Sequence, residues 1–283
     1  MQPGRSAAPL RHLAGAALGS LAGLAGASLG AALEICARLE RHGLRTSLRY
    51  RSAPSEPPAR MLSACLAALD ALSSREGSRL VMKAPALQGD DALLERLAVR
   101  ARSTGTRLHF DPIDPKTADI AFSCIKHAAR AGTMTGTTLP ALWRRSLDDA
   151  GRAVRFAVPV RVVKGRSDGS DLRHDTRGAF LALIDRLAGR ASLVTVGTHD
   201  PALAIESLQR LKARGTPCEI DLRHGLPHCG MVRLAERMSV PVSVIVPFGL
   251  GWLPHTVSQL AHNPRLLWTA MRDLMGACLL LVQ

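Results

Sequence analysis

The sequence predicts an α/β chain of the (β/α)8 TIM-type barrel class. Eight short apolar runs rich in β-branched residues recur after residue 45. Stretches with three- and four-residue apolar spacing separate most of them. The 283 residues suit eight such units. Parallel strands need crossovers of helical length, which is what the spacing provides. A doubly wound sheet is the other arrangement that this alternation allows.

The strand-like runs are Thr46–Tyr50, Arg79–Ala84, Arg107–Pro112, Thr133–Thr137, Val158–Gly165, Leu193–Thr198, Pro217–Leu222 and Val242–Pro247. The helix-like stretches between them are Ala59–Leu72, Asp91–Ser103, Thr117–Ala131, Leu139–Ala150, Arg177–Leu187, Ala202–Ala213 and Met231–Met238. Upstream, His12–Leu33 holds no Asp, Glu, Lys or Arg, has Gly at 15, 19, 23, 26 and 30, and follows Arg5 and Arg11. A signal peptide or a small-residue membrane helix would share these features. Ala and Gly are only weakly apolar, however, and the segment runs into a charged helix, Glu34–His42. Residues 1–33 are therefore expected to be an Ala/Gly-rich extension or packing helix, and residues 34–283 the barrel domain.

Hydrophobic residues make up 47% of the chain, enough for a sizeable core, but only three Trp, one Tyr and five Phe are aromatic. The core must be built from Leu, Val and Ala. The formal net charge is +14. Such a balance suits nucleic acid, anionic membrane surfaces or anionic ligands. Stacking aromatics are scarce and no nucleic-acid-binding signature is present, so no nucleic-acid partner is expected. The six cysteines, at 36, 65, 124, 218, 229 and 278, form no C-x-x-C pair. That argues against a zinc ribbon or a disulfide scaffold and makes a reducing cytoplasm the expected location.

In a (β/α)8 barrel, function sits at the carboxyl ends of the strands. Lys83, Asp111, Lys164, Thr198-His199-Asp200 and the Pro247–Gly249 turn fall there. Arg161 and Lys164 lie on a strand that carries two basic residues toward that face, and alternation puts them on opposite sides of it. Asp221, His224, His228 and Cys229 crowd one loop, with His255 on the next. All are metal-ligand types, but Gly225 and Pro227 prevent a regular helix from presenting both histidines. A loop surface is expected, with no metal. Gly165–Gly169 matches G-x-S-x-G, yet the polar "DGSDLRHD" follows it where a nucleophile elbow needs a helix.

Several stretches resemble the proline dehydrogenase family, flavin enzymes built on a distorted (β/α)8 barrel. "RVVKG" (161–165) looks like that family's strand-five R-[LV]-V-K-G, and "GTHD" (197–200) is similar to its strand-six A-T-H-[DN]. "CEIDLRHG" (218–225) follows F-E-F-Q-x-L-x-G, keeping Glu219 and Gly225. "IVPFGLGWLPHTVSQLAHNP" (245–264) is similar to the strand-eight region, "VMKA" (81–84) to the strand-two lysine, and "LHFDPID" (108–114) to the strand-three D-M-E-D. The order and spacing agree from about residue 35 to 265.

The resemblance implies a proline dehydrogenase-like barrel holding FAD through Arg161, Lys164, Gly165, Thr198, His199 and Glu219. Lys83, Asp111 and Arg161 would act in catalysis. Hydride would pass from the carbon beside a substrate amine to the flavin, and electrons onward to a membrane quinone, with the basic surface aiding peripheral contact with the inner membrane. The departures are as informative. The family's paired arginines, which clamp the substrate carboxylate, read Ser258 and Gln259 here. Its tyrosines read Ser167, Phe248, Leu253 and His255. A strand-four glutamine aligns with Gly136, and a strand-seven glutamine with Asp221. The expected substrate is therefore a small amine or imino compound other than proline, met by Leu253, His255, Ser258 and Gln259. The alternative is an inactive barrel kept as a ligand- or partner-binding protein.

Overall fold

The computed structural model describes residues 28–53, 56–73, 75, 77–87, 90–165, 175–226 and 229–249. Eight parallel strands run in the order β1 to β8 and close into a barrel. The elements are α1 (Leu29–Arg41), β1 (Arg45–Tyr50), α2 (Pro58–Leu72), β2 (Arg79–Lys83), α3 (Asp91–Thr104), β3 (Arg107–Asp111), α4 (Ala118–Arg130), β4 (Thr135–Pro140), α5 (Ser146–Arg155), β5 (Val160–Val163), α6 (Thr176–Leu187), β6 (Val194–Gly197), α7 (Pro201–Ala213), β7 (Cys218–Arg223), α8 (Cys229–Arg237) and β8 (Val242–Phe248). Single 3-10 turns lie at Ala84–Leu87 and Pro115–Thr117. The (β/α)8 class read from the sequence is the fold observed.

Contacts divide the chain into two compact units, residues 55–221 and residues 1–54 with 222–283. In the first, β2 to β7 pair in sequence order, with Arg79 opposite Arg107, Lys83 opposite Asp111, and Thr138, Arg161, Thr195 and Glu219 in successive register. Alternation sorts the strands cleanly. Leu80, Leu108, Phe110, Val160, Val162, Val194, Val196 and Ile220 are fully buried on the helix-facing side. The intervening positions face the barrel interior, and these carry Arg79, Arg107, His109, Asp111, Thr138, Arg161, Thr195, Glu219 and Asp221.

In the second unit β1 pairs with β8, and α1 packs across both strands. Ser28 caps α1, its side chain accepting from the Ala31 amide at 3.2 Å. Tyr50 and Phe248 meet edge-on, ring centroids 5.3 Å apart. Gly249 follows at φ +102°, where a Cβ would lie 2.6 Å from the Arg51 carbonyl oxygen, so only glycine fits.

One predicted element moves. The helix expected over Leu139–Ala150 begins at Ser146, because Leu139 and Pro140 belong to β4, opposite Val162 and Val163. Ala141 and Leu142 then continue the pairing, donating to Val163 and Lys164 carbonyls. The apolar spacing across this turn imitated a helix. Residues 29–33, expected in the extension, form the start of α1. Among the described residues, no helix is long and apolar enough to cross a membrane.

Candidate functional site

The interior of the first unit holds a charged cluster where a barrel of this kind is ordinarily filled by Val, Ile and Leu. Arg79, the first residue of β2, reaches across to β7. Its Nη1 donates to Glu219 Oε1 at 2.7 Å and its Nη2 to Asp221 Oδ1 at 2.8 Å. Thr195 Oγ1 donates to the same Glu219 oxygen at 2.8 Å. Arg161 donates from Nε to Asp221 Oδ2 at 2.6 Å. Burial works against the Arg79 charge, but Asp221 and Glu219 outweigh it and hold the guanidinium above its ordinary range.

Arg161 is anchored by one edge only. It is 7% exposed, and its Nε is spent on Asp221. Among the described residues its two Nη groups have no protein partner, and they are not among the sequestered orphan atoms, so they reach accessible space. Gly197 gives the guanidinium its room. A Cβ there would lie 2.9 Å from the Val162 carbonyl oxygen and 3.4 Å from Arg161 Cζ.

Beside it stands a polar relay from β3 and β4. Thr138 Oγ1 donates to Asp111 Oδ1 at 2.5 Å, and His109 Nε2 lies 2.9 Å from the same hydroxyl. A hydroxyl has one proton. With that proton on the carboxylate, the oxygen must accept from His109, so the histidine carries its hydrogen on Nε2. Gly136 makes space for the ring, since a Cβ would approach His109 Nδ1 to 2.9 Å. Lys83 is half-buried opposite Asp111.

The strand ends beyond β5 and β6 supply the remaining predicted residues. Lys164 Nζ and Asp200 Oδ2 are 3.5 Å apart at a half-exposed position. Burial alone would raise the Asp200 carboxyl; the Leu203 amide and Lys164 reverse this and hold it below the ordinary carboxylate range. Asp200 also caps α7 through Leu203 N–H at 3.2 Å. Thr198 is buried, and its hydroxyl oxygen accepts from the Asp200 amide at 3.1 Å, leaving its proton to be donated elsewhere. His199 is half-buried between them. Gly165 turns the chain at φ +94°.

Of the predicted residues, Arg161, Thr198, His199, Lys164 and Gly165 thus lie along β5 and β6, while Lys83 and Asp111 lie at the ends of β2 and β3. Glu219 is buried in the interior as an ion-pair partner of Arg79. Leu253, His255, Ser258 and Gln259 lie outside the described residues, as does Ser167. Among the described residues no cluster of His, Cys, Asp and Glu could hold a metal ion. His224 and Cys229 do not form one; His224 is 6% exposed with neither ring nitrogen hydrogen-bonded. Sequence reasoning passed over Arg79, His109 and Thr138. The signal was there in phase: charged or polar residues at alternate positions of strands otherwise buried on both faces.

No known protein-family profile matches the sequence, and no curated protein does. Solved structures do. A structure of proline utilization A from Corynebacterium freiburgense superposes with a TM-score of 0.70 at 14% identity, covering 92% of this chain and 33% of that one. A structure of proline utilization A with proline bound in remote sites gives a TM-score of 0.62 at 16% identity, covering 84% and 30%. This chain therefore spans about a third of the proteins it resembles, and at these identities the likeness establishes the shared fold: an eight-stranded parallel barrel like one found within proline utilization A.

Proposed function

We propose that the protein is an FAD-dependent oxidoreductase that oxidises a C–N bond of a small amine or imino compound other than proline. The observation that carries this reading is the Arg161 fork, fixed through Nε by Asp221 with both Nη groups left for a ligand. A guanidinium held this way presents paired donors to carbonyl or anionic oxygens, as the pyrimidine edge of a flavin offers. The donor set fits the cofactor: Arg161 toward the ring, Thr198 and the half-exposed Lys164 toward ribityl and phosphate oxygens, Gly165 and His199 completing the wall. When bound, FAD would supply the hydride acceptor.

The chain's own residues do the rest. Lys83 and Asp111 hold the substrate at the ends of β2 and β3. Thr138 fixes Asp111 by donating to it, orienting the carboxylate beside the amine. The proline-type carboxylate clamp is replaced by Ser258 and Gln259, which supports a substrate lacking a carboxylate in that place. A membrane quinone as electron acceptor and peripheral contact through the basic surface belong to the same proposal.

A second reading has its own support. Asp221 stands where the resembled family has glutamine, and its charge offsets that of Arg161. A barrel so neutralised suits a ligand-binding protein without turnover.

The test is the visible absorption of the purified protein, reconstituted with excess FAD and then mixed anaerobically with amines and amino acids. A flavin band bleached by one of them supports the dehydrogenase chemistry. A band that nothing bleaches supports the second reading. Absence of any bound flavin overturns the proposal.

A further inference from the structure

A cavity of about 850 Å3 opens at the opposite end of the first unit, where the strands begin. That volume is typical of small-molecule sites. Its walls come from the segments that precede β4, β5, β6 and β7, from α4, and from Arg107 at the start of β3. In barrels of this type that end ordinarily serves stability rather than ligands, so the chemistry of its lining needs a reason.

Arg107 gives one. It faces Arg79 directly across the β2–β3 pair, a like-charge contact that costs stability. The carboxylates of β7, Glu219 and Asp221, are engaged by Arg79 and Arg161. Burial, and then the neighbouring Arg79 charge, push the Arg107 pKa down, and Glu219 only partly offsets them. Its Nε is sequestered without a hydrogen bond. Among the described residues neither Arg107 nor Lys126 nor Arg130, the other two cations of the lining, makes an ion pair or side-chain hydrogen bond. Among the described residues no carboxylate lines the cavity. A half-buried guanidinium with its Nε sequestered and no carboxylate beside it favours an anion, and it cannot escape by losing its proton.

Most of the rest of the wall is apolar, with Thr133, Thr135 and Ser192 among it, and it is firmly built. Met134 and Phe156 are 53% and 42% exposed, an unusual display of large apolar side chains around one opening. Phe156 rests on Phe122, centroids 6.2 Å apart, and Arg152 stacks over that second ring at 4.0 Å. Ser192 Oγ donates to the Ala157 carbonyl at 3.1 Å. Ala157 itself sits at φ +52°, a strained conformation for a residue with a Cβ, and such strain persists where the surroundings enforce it.

We infer that this cavity is a binding site for an amphiphilic carboxylate, whose head engages Arg107 and whose apolar body lies against Met134 and Phe156. Arg107 offers the two Nη groups, which match a carboxylate in plane and spacing. Lys126 and Arg130, one turn apart on α4, add charge at the opening.

Hexanoate is the probe, titrated calorimetrically into the full-length protein, with acetate, hexylamine and inorganic phosphate alongside. The inference expects saturable binding of one hexanoate per chain, at least ~10-fold tighter than acetate or phosphate, and none of hexylamine. Arg107→Met weakens it at least ~10-fold, whereas Arg161→Met leaves it unchanged. Arg130→Gln, at an exposed position, weakens it by about 3-fold and serves if Arg107→Met fails to fold. Absence of saturable binding overturns the inference. So does equal binding of hexylamine, or binding that is lost in Arg161→Met and kept in Arg107→Met.

Discussion

Arg161 and Arg107 are two arginines of one barrel interior, on strands that lie two apart, and they are treated in opposite ways. Arg161 has a carboxylate at 2.6 Å, whose other oxygen Arg79 holds, and exposes its free donors beside Gly197. Arg107 has none, and its like-charged register neighbour holds one oxygen of Glu219 and one of Asp221. The difference teaches how to read a cation in a barrel interior. A paired one has been given a position and keeps a fixed direction. An unpaired one is incomplete, and its completion must come from outside the chain.

The largest effect that sharpens this contrast is expected at Arg79. Arg79→Met strips the buried Glu219 of its guanidinium partner and leaves the buried Asp221 with Arg161 alone. It should lower stability by about 3–5 kcal/mol, on the order of 10 °C in Tm for a chain of this size. Arg107→Met, one strand away and equally conservative, removes an unpartnered charge and should be neutral or stabilising by about 1 kcal/mol. Thermal unfolding of the two variants side by side checks both, and similar losses in the two would break the distinction.

A third buried base shows the escape that arginine lacks. His224 is 6% exposed, and burial first and the Arg38 charge second push its pKa down to about 4. The folded value lies below the unfolded one, so the unfolded chain takes up the proton first as pH falls. Its contribution is whole above about pH 6.5, declines toward pH 4 by up to about 1.4 kcal/mol per unit, and levels off below. His224→Leu should flatten urea-unfolding free energies over that window. An unchanged slope would mean that other groups carry the acid sensitivity. The smallest effect belongs to Lys164→Met, which breaks a half-exposed pair 3.5 Å apart and should cost less than about 1 kcal/mol in the same measurement.

Much of the fold was legible because the strands obey one simple rule. Leu108 and Phe110, or Val160 and Val162, mark a helix-facing side by alternation, and runs of that kind fall within three residues of the observed strands. The β4 end failed because "TTLPALW" is apolar at spacings that suit either element, and only pairing with β5 settles it. The position of Thr198, Lys83 and Asp111 at strand ends was readable for the same reason, whereas Arg161 is the second residue of β5 rather than its end. Their partners were not. Arg79 meets Glu219 and Asp221 across 140 and 142 residues of sequence, through side chains that cross the barrel interior. Nothing local announces which of Arg79, Arg107 and Arg161 receives Glu219 and Asp221, so the state of Arg107 emerges only once the barrel is closed.

The account rests on Arg161 being the arginine that faces a cofactor. Equilibrium dialysis of FAD against the full-length protein and its Arg161→Met and Arg107→Met variants tests this most directly. The prediction is one FAD per chain for the unsubstituted protein and for Arg107→Met, with at least ~10-fold weaker binding in Arg161→Met. No FAD bound to the unsubstituted protein, or equal retention by Arg161→Met, would contradict it.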